Sequence, residues 1–400
     1  MQRYRGHFYN WYATATLEPL KPVYVSSVDS GNFAGHLIAL ASACNQWCHD
    51  QTDTATWRDG IVDVLNIAIT DLTFRNGVRL AQTADERQLL RRLIGLKKAV
   101  LAASAHRSVP ELQALHRHAS EIAQQVAHLH PAATEAVDER IADRLFWVSA
   151  PMRALESHLR DFDADLYTTL AHRLAAIAHR ARTLALEMDF AFLCNRSRKM
   201  LSIGYLVAED TQDSNCYDLL ASEARLAVFF AIAKGDMPAH DWFRLGRSIT
   251  PVGSGAALVS WSGSMFEYLM PSLVMRAPAG SLLEQTNALI VQRQIAYGQA
   301  RDIPWGISES AYNVRDLDYT YQYSNFGIPG LGLKRGLGLD TVVAPYATLL
   351  AGMVDPQKAV ANLSVLEKIG ALGRYGLYEA LDYTPSRVPD RKTMALVRAY

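Results

Sequence analysis

The sequence predicts an all-α fold in which helical hairpins close into a toroid, an (α/α) barrel with long functional loops and a small β-hairpin element. Three observations predict it. Many long stretches place apolar residues at helical period. Residues 85–190 are charged, rich in Ala and Leu and almost free of Gly and Trp, as scaffold helices are. Residues 200–385 instead alternate helices with long loops carrying Gly, Trp, Tyr and acids. Loops of that length inside a compact domain are commonly functional. No tandem repeat of constant period is present, which disfavours a solenoid.

Taken in order, "GNFAGHLIALASACNQWC" is the first helix, with Ser30 and Asn32 as capping candidates and apolar positions at 33, 37, 40 and 44. "GIVDVLNIAITDL", "DERQLLRRLIGLKKAVLAASA" and "PELQALHRHASEIAQQVAHL" follow, then an extended helical stretch from about Glu135 to Phe192. A strand-like pair surrounds "RKMLSIGYLV". Helices return at "DLLASEARLAVFFAIAKG", "SMFEYLMPSLVM", "GSLLEQTNALIVQRQIAYGQA", "PYATLLAGMV" and "PQKAVANLSVLEKIGA".

Composition sets bounds on function. A chain of 400 residues buries a large core, as one big domain or two ordinary ones. Forty basic and forty acidic side chains give a formal net charge of zero. That balance argues against nucleic acid or an acidic lipid surface as partner and suits a neutral polymer. Cys44, Cys48, Cys194 and Cys216 form no CxxC framework, which fits a reducing compartment. The N-terminus has no signal-peptide apolar core, and "VVAPYATLLAGMV" is too short for a membrane span, so the chain as given is expected to be soluble.

Familiar catalytic motifs are missing. "GIPGLGLKRGLG" lacks the GK[ST] ending of a phosphate loop and reads as a mobile rim loop. His116 and His118 fall on different helix faces, and no metal site or cofactor is expected. What remains is carboxylates beside aromatics. Glycoside chemistry needs two acids, one protonating the leaving oxygen and one acting as nucleophile or water-activating base. Flat rings stacked on sugar faces add binding without charge.

Five acids sit in suggestive places. Asp29 in "SSVDSGN" reads as a turn or helix cap, or as a substrate contact. Glu223 in "LLASEARLA" could serve a helix dipole, pair with Arg225, or act on substrate. Glu267, between Phe266 and Tyr268, could hold a loop as a buried acid or bind substrate. Glu379 in "GRYGLYEALDY" is a further candidate. Glu309 in "PWGISESAY" is the strongest, because its loop offers no helix dipole and no cation at helical spacing to explain it otherwise.

Several long blocks together resemble one family. They are "RYRGHFYNWYATATLEPLKPVYVSSVDSGNFAGHLIAL", "LLASEARLAVFFAIAKGDMPAHDWFRLGR", "SWSGSMFEYLMPSLVM", "PWGISESAYNVRDLDYTYQYSNFGIPGLGLKRGL", "APYATLLAGMVDP" and "GALGRYGLYEALDYTP". The chain is similar, from residue 3 to residue 400, to the middle region of bacterial cyclic β-1,2-glucan synthases. The resemblance implies one (α/α)6-barrel glycoside-hydrolase-like domain over 1–400, a piece of a larger synthase. It implies a retaining transglycosylase that cyclises linear β-1,2-glucan by intramolecular transfer to the chain's non-reducing-end 2-hydroxyl. It also implies flanking glycosyltransferase and phosphorylase-like domains at the cytoplasmic side of the bacterial inner membrane.

Carried over by motif, Glu309 matches the nucleophile and Glu223 the acid/base, while Trp261, Trp305, Tyr312, Tyr319, Tyr321 and Tyr323 become sugar-stacking candidates. Asp29, Glu267 and Glu379 become hydroxyl acceptors. Each of these retains its structural alternative. Members of the family usually read "NWYDT" where this chain has "NWYAT", so Ala13 stands for an expected aspartate. Two rival functions stay open: a β-1,2-glucan endo-hydrolase, and a non-catalytic glucan-binding or scaffold module.

Overall fold

The computed structural model describes residues 1–49, 56–75, 78–79, 83–129, 139–160, 162 and 164–399. About 52% of the chain is helical, with short strands interleaved in its second half. Two compact units emerge: residues 43–178 form one, and residues 1–42 with 179–400 form the other.

The 43–178 unit is the helical scaffold that the charged, Ala- and Leu-rich composition predicts. Helix α1 (Ser27–His49) begins in the other unit and ends in this one, followed here by α2 (Thr56–Thr73), α3 (Ala84–Ala102), α4 (Val109–Leu129) and α5 (Glu139–Arg160). Apolar residues recur three and four apart, so each helix buries one stripe. Ile61, Leu65, Ala68 and Leu72 of α2 meet Leu89, Leu93, Leu96 and Val100 of α3 and Leu112, Leu115, Ala119 and Ile122 of α4 in one core. Thr83 caps α3 through a reciprocal box with Glu86, which settles two amides left without helical partners. Helix α6 (Ala164–Glu187) follows α5, so the predicted continuous stretch to Phe192 is two helices and then a short 3-10 turn at Ala191–Leu193. The first residues of that predicted stretch lie outside the described residues.

The remaining unit carries α7 (Arg225–Lys234), α8 (Met265–Leu269), α9 (Leu282–Gln299), α10 (Pro345–Ala351) and α11 (Pro356–Lys368). It also holds more strand than the single hairpin the sequence predicts. The strand pair at "RKMLSIGYLV" is present, as Cys194–Asn195 against Met200–Leu201. Beyond it, Ser310–Arg315 pairs with Tyr321–Ser324 through an irregular register. Val342–Val343, Ala380–Asp382 and Ala395–Val397 form an antiparallel three-stranded sheet, and Tyr24–Ser26, Gly204–Leu206 and Thr211–Gln212 form another.

Two helix limits differ from the sequence reading in ways that matter for the site. Helix α1 starts at Ser27, before the predicted caps, and Ser26 Oγ accepts the Asp29 amide in the capping role. Its buried stripe is Ala34, Leu37, Ala41 and Cys44, whereas Phe33 and Leu40 are exposed. The helix predicted at 218–235 begins only at Arg225, because Leu220 donates to the Gly246 carbonyl and Gly246 to that of Asp218. Those bonds hold 218–220 in an extended bridge, and Glu223 falls in the turn just ahead of α7.

Candidate active site

Glu309 stands on a ledge that three helices fix. Gly306 has φ of 125°, a conformation that disfavours side chains, and its carbonyl accepts the Ala344 amide at 2.9 Å. Ile307 then offers its outward amide and carbonyl to one side chain, Gln294 of α9, at 2.9 and 2.8 Å. Ser308 Oγ accepts the Phe266 amide of α8 at 3.0 Å and shares a hydrogen bond with the Tyr346 hydroxyl of α10 at 2.8 Å. Tyr346 also donates to the Glu309 backbone carbonyl at 2.9 Å. The side chain of Glu309 is left facing Asn325, whose amide lies 3.5 Å from Oε2, and the Tyr323 hydroxyl.

Glu223 is brought to the same place by helix packing. Helix α1 crosses α7 so closely at Gly31 that a Cβ there would stand 2.2 Å from that of Ala227. The next residue, Asn32, donates its side-chain amide to Glu223 Oε2 at 3.1 Å. From the other side the buried Arg225 guanidinium donates to the carbonyls of Ser222, Glu267 and Tyr268 at 3.1, 3.0 and 2.6 Å. The pairing of Arg225 with Glu223 that the sequence left open is thus replaced by a backbone staple, which ties the Glu223 turn to α8. Burial without an anionic partner pushes the Arg225 pKa down to about 10.

The electrostatics of the two acids differ from ordinary surface carboxylates. Burial pushes the Glu309 pKa up to about 7, and the Glu267 charge adds to the rise while Tyr323 opposes it. Glu223 is pushed up to about 8, by burial first and then by the Glu309 charge, with the Asn32 amide opposing. The pair therefore loses its protons in two steps, and the second must leave beside an anion. Asp29 raises both.

The other predicted residues divide. Asp29 is exposed on the first turn of α1. Glu267 is buried, its carboxylate accepting the Ser262 and Gly263 amides at 3.0–3.2 Å, so it clamps the loop ahead of α8 while its charge acts on Glu309. Glu379 accepts the Ala311 amide at 3.1 Å, two residues beyond Glu309. Trp261 is 57% exposed in the 260–264 loop. Tyr312 packs edge-on against Phe326, with Arg387 over its ring at 4.9 Å. Tyr323 is 61% exposed while its hydroxyl reaches Glu309, and burial of that hydroxyl and the Glu309 charge raise its pKa.

Three rings lie apart from that grouping. Tyr319 is 79% exposed at the hairpin turn with φ of 62°. Tyr321 is covered by Arg315 at 4.2 Å. Trp305 is only 7% exposed, its backbone held by Asn362, and it lines a cavity of about 1020 Å3 between α9 and α11 whose walls include none of the five acids.

Sequence reasoning missed Asn32 as a Glu223 partner, and missed Tyr346, Asn325 and Tyr217. The Tyr217 hydroxyl is buried and raised in pKa, with Glu223 the first charge acting on it. Asn32 did stand out as a polar residue beside glycine at a helix start, but that signal reads as a cap.

Residues 215–398, which contain both acids, match the Glycoamylase family, described as "Putative glucoamylase". The whole chain is 46% identical to cyclic beta-(1,2)-glucan synthase NdvB of Rhizobium meliloti (strain 1021), and the matched stretch is 14% of that protein. The resemblance to the cyclic β-1,2-glucan synthases therefore holds along the entire chain, which is similar throughout to the middle of one of them.

Proposed function

We propose that this chain is a retaining transglycosylase that cyclises linear β-1,2-glucan within an (α/α)6 barrel, with Glu309 as nucleophile and Glu223 as acid/base. One observation carries the reading: two half-buried carboxyl groups act on one another, one held by Asn32 and the other beside Tyr323 and Asn325, and burial raises the pKa of both. A pair raised in this way holds one proton between its two members near neutral pH, the division of labour that glycosyl transfer needs.

In the first step the Glu309 carboxylate attacks the anomeric carbon, the bond to the leaving 2-oxygen breaks, and the Glu223 proton passes to that oxygen. The glycosyl ester is then attacked by the non-reducing-end 2-hydroxyl of the same chain. Its proton returns to Glu223, the ester bond breaks, and the anomeric configuration is restored after two inversions. Asn32 and Tyr323 orient the two carboxyl groups through their hydrogen bonds. The identity with a cyclic glucan synthase supports β-1,2-glucan as substrate. The much greater length of that protein supports flanking glycosyltransferase and phosphorylase-like domains, which would supply and trim the linear chain at the cytoplasmic face of the inner membrane. Among the described residues no helix is long and apolar enough to cross a membrane.

Mass spectrometry of linear β-1,2-glucan incubated with the protein tests this. Products one water lighter than linear chains of equal length, absent with Glu309→Gln, are expected. Short linear products would make the protein a hydrolase, and untouched substrate would leave a binding module.

A further inference from the structure

A second cavity, of about 590 Å3, opens beside the start of α1 and is used by none of the chemistry above. Asp29, Ser30 and Phe33 of α1 face Tyr9, Trp11 and Tyr12 across it. Its volume falls within the roughly 300–1,000 Å3 of small-molecule sites. The walls are held firmly. Tyr12 accepts the Tyr9 amide at 2.8 Å and donates to the Gln2 carbonyl at 2.6 Å. Ser30 shares a 2.8 Å hydrogen bond with the buried His7, whose other ring nitrogen meets the Asp189 carbonyl at 2.8 Å. Burial pushes the His7 pKa down to about 4, so that ring stays neutral and adds no charge beneath the wall.

Trp11 differs from its neighbours. The residue is 49% exposed, and its ring makes no ring–ring pair among the described residues, whereas Phe8 packs edge-on against Phe33 and Tyr12. It presents an open, flat face. Asp29 is the one charged side chain of the lining. Open rings together with Asp29, Asn10 and the Ser26 hydroxyl suit an uncharged polyhydroxyl ligand rather than an anion or a lipid tail.

The cavity is also tied to the catalytic acids through α1. Asp29 lines it and at the same time raises the pKa of both Glu223 and Glu309. Phe33 lines it while the preceding residue, Asn32, holds Glu223. The cavity and the Asn32 contact to Glu223 thus share the first two turns of α1.

We propose that this cavity is a glucan subsite beyond the acids, in which Trp11, at its far side from α1, stacks on a glucosyl unit and Asp29 accepts its hydroxyls, so that chains long enough to reach Trp11 gain the contact. The proposal rests on the reading of Glu309 and Glu223 as a glucan-processing pair. It assigns Trp11 to chain-length selection and leaves bond cleavage to the acids.

The test is calorimetric binding of linear β-1,2-gluco-oligosaccharides, a trisaccharide and a decasaccharide, to Glu309→Gln protein with and without Trp11→Ala. Melting curves matching the parent certify the variants. Trp11→Ala is expected to weaken the decasaccharide about five- to tenfold and leave the trisaccharide unchanged, with Trp11→Tyr restoring most of the loss. Equal affinities at both lengths, or equal losses at both, would overturn the subsite while leaving glucan processing intact. If Glu309→Gln binds neither length, the glucan reading itself falls, and the subsite falls with it.

Discussion

Asn32 donates its side-chain amide to Glu223 at 3.1 Å across 191 residues of sequence. An amide N–H favours the charged carboxylate, so this one bond holds the Glu223 pKa below the level that burial alone would set. Asn32→Ala should therefore raise the Glu223 pKa and move the alkaline limb of the pH–rate profile upward. A tenfold or so fall in kcat should accompany it, since the acid loses its orientation. An unmoved alkaline limb would sever Asn32 from the acid.

The same bond depends on Gly31. Gly31→Ala places a methyl against Ala227 and forces α1 away from α7, an overpacking cost of about 1–3 kcal/mol. Its kinetic effect should resemble that of Asn32→Ala, and the double variant should be little worse than either single. Additive losses would mean that the two act separately.

Activity should peak between about pH 7 and about pH 8. Below that window Glu309 is protonated and cannot attack; above it Glu223 has lost the proton it must deliver. Glu309→Gln or Glu223→Gln should lower kcat by about 10²–10⁴-fold. In Glu223→Gln the alkaline limb should vanish from the residual activity, and its persistence would assign that limb to another group.

Stability should change in the opposite sense to that of most paired carboxylates. Both acids bind protons more tightly folded than unfolded, so folding loses stability as pH climbs from about 4.5 through the folded pKa values of about 7 and 8. Glu223→Gln should thus stabilise the protein above pH 8 by on the order of a few kcal/mol, and leave it almost unchanged near pH 4. Thermal melts at the two ends decide it: an equal shift in Tm at both would refute the linkage.

A structural acid supplies the contrast. Asp382 is fully buried, bonds Arg387 Nε at 2.6 Å, and accepts the amides of Asn313 and Thr384. Asp382→Asn leaves Arg387 with Asp340 as its remaining anionic partner and weakens the charged hydrogen bonds at Asp382, which should cost about 1.5–3 kcal/mol. Removing the exposed Arg3–Glu187 pair should cost about 1 kcal/mol or less. Chemical denaturation measures both.

Much of this architecture was legible because local rules and tertiary packing agree. The scaffold helices show their stripe in Leu89, Leu93 and Leu96, and the core uses that stripe. Glu309 drew notice in the sequence because nothing local explained it, and the structure places it beside Asn325 and Tyr323. Glu223 was misplaced onto a helix, since "DLLASEARLA" is good helical composition and only the distant Gly246 holds its start extended. Phe33 and Asn32 were assigned to the core and to a cap by period alone, yet one lines a cavity and the other holds an acid. The 310–324 hairpin hid because its register shifts, which destroys alternation. Trp305 could not be told from an exposed platform, because aromatic composition carries no burial signal.

Gln294 has one more effect. By taking both outward polar groups of Ile307, this side chain of α9 stands where a neighbouring strand would stand. A backbone edge already closed in this way offers no template to the strand of another molecule. The backbone just ahead of Glu309 is thereby closed by a side chain of α9, with the Met265 amide also donating to the Ile307 carbonyl.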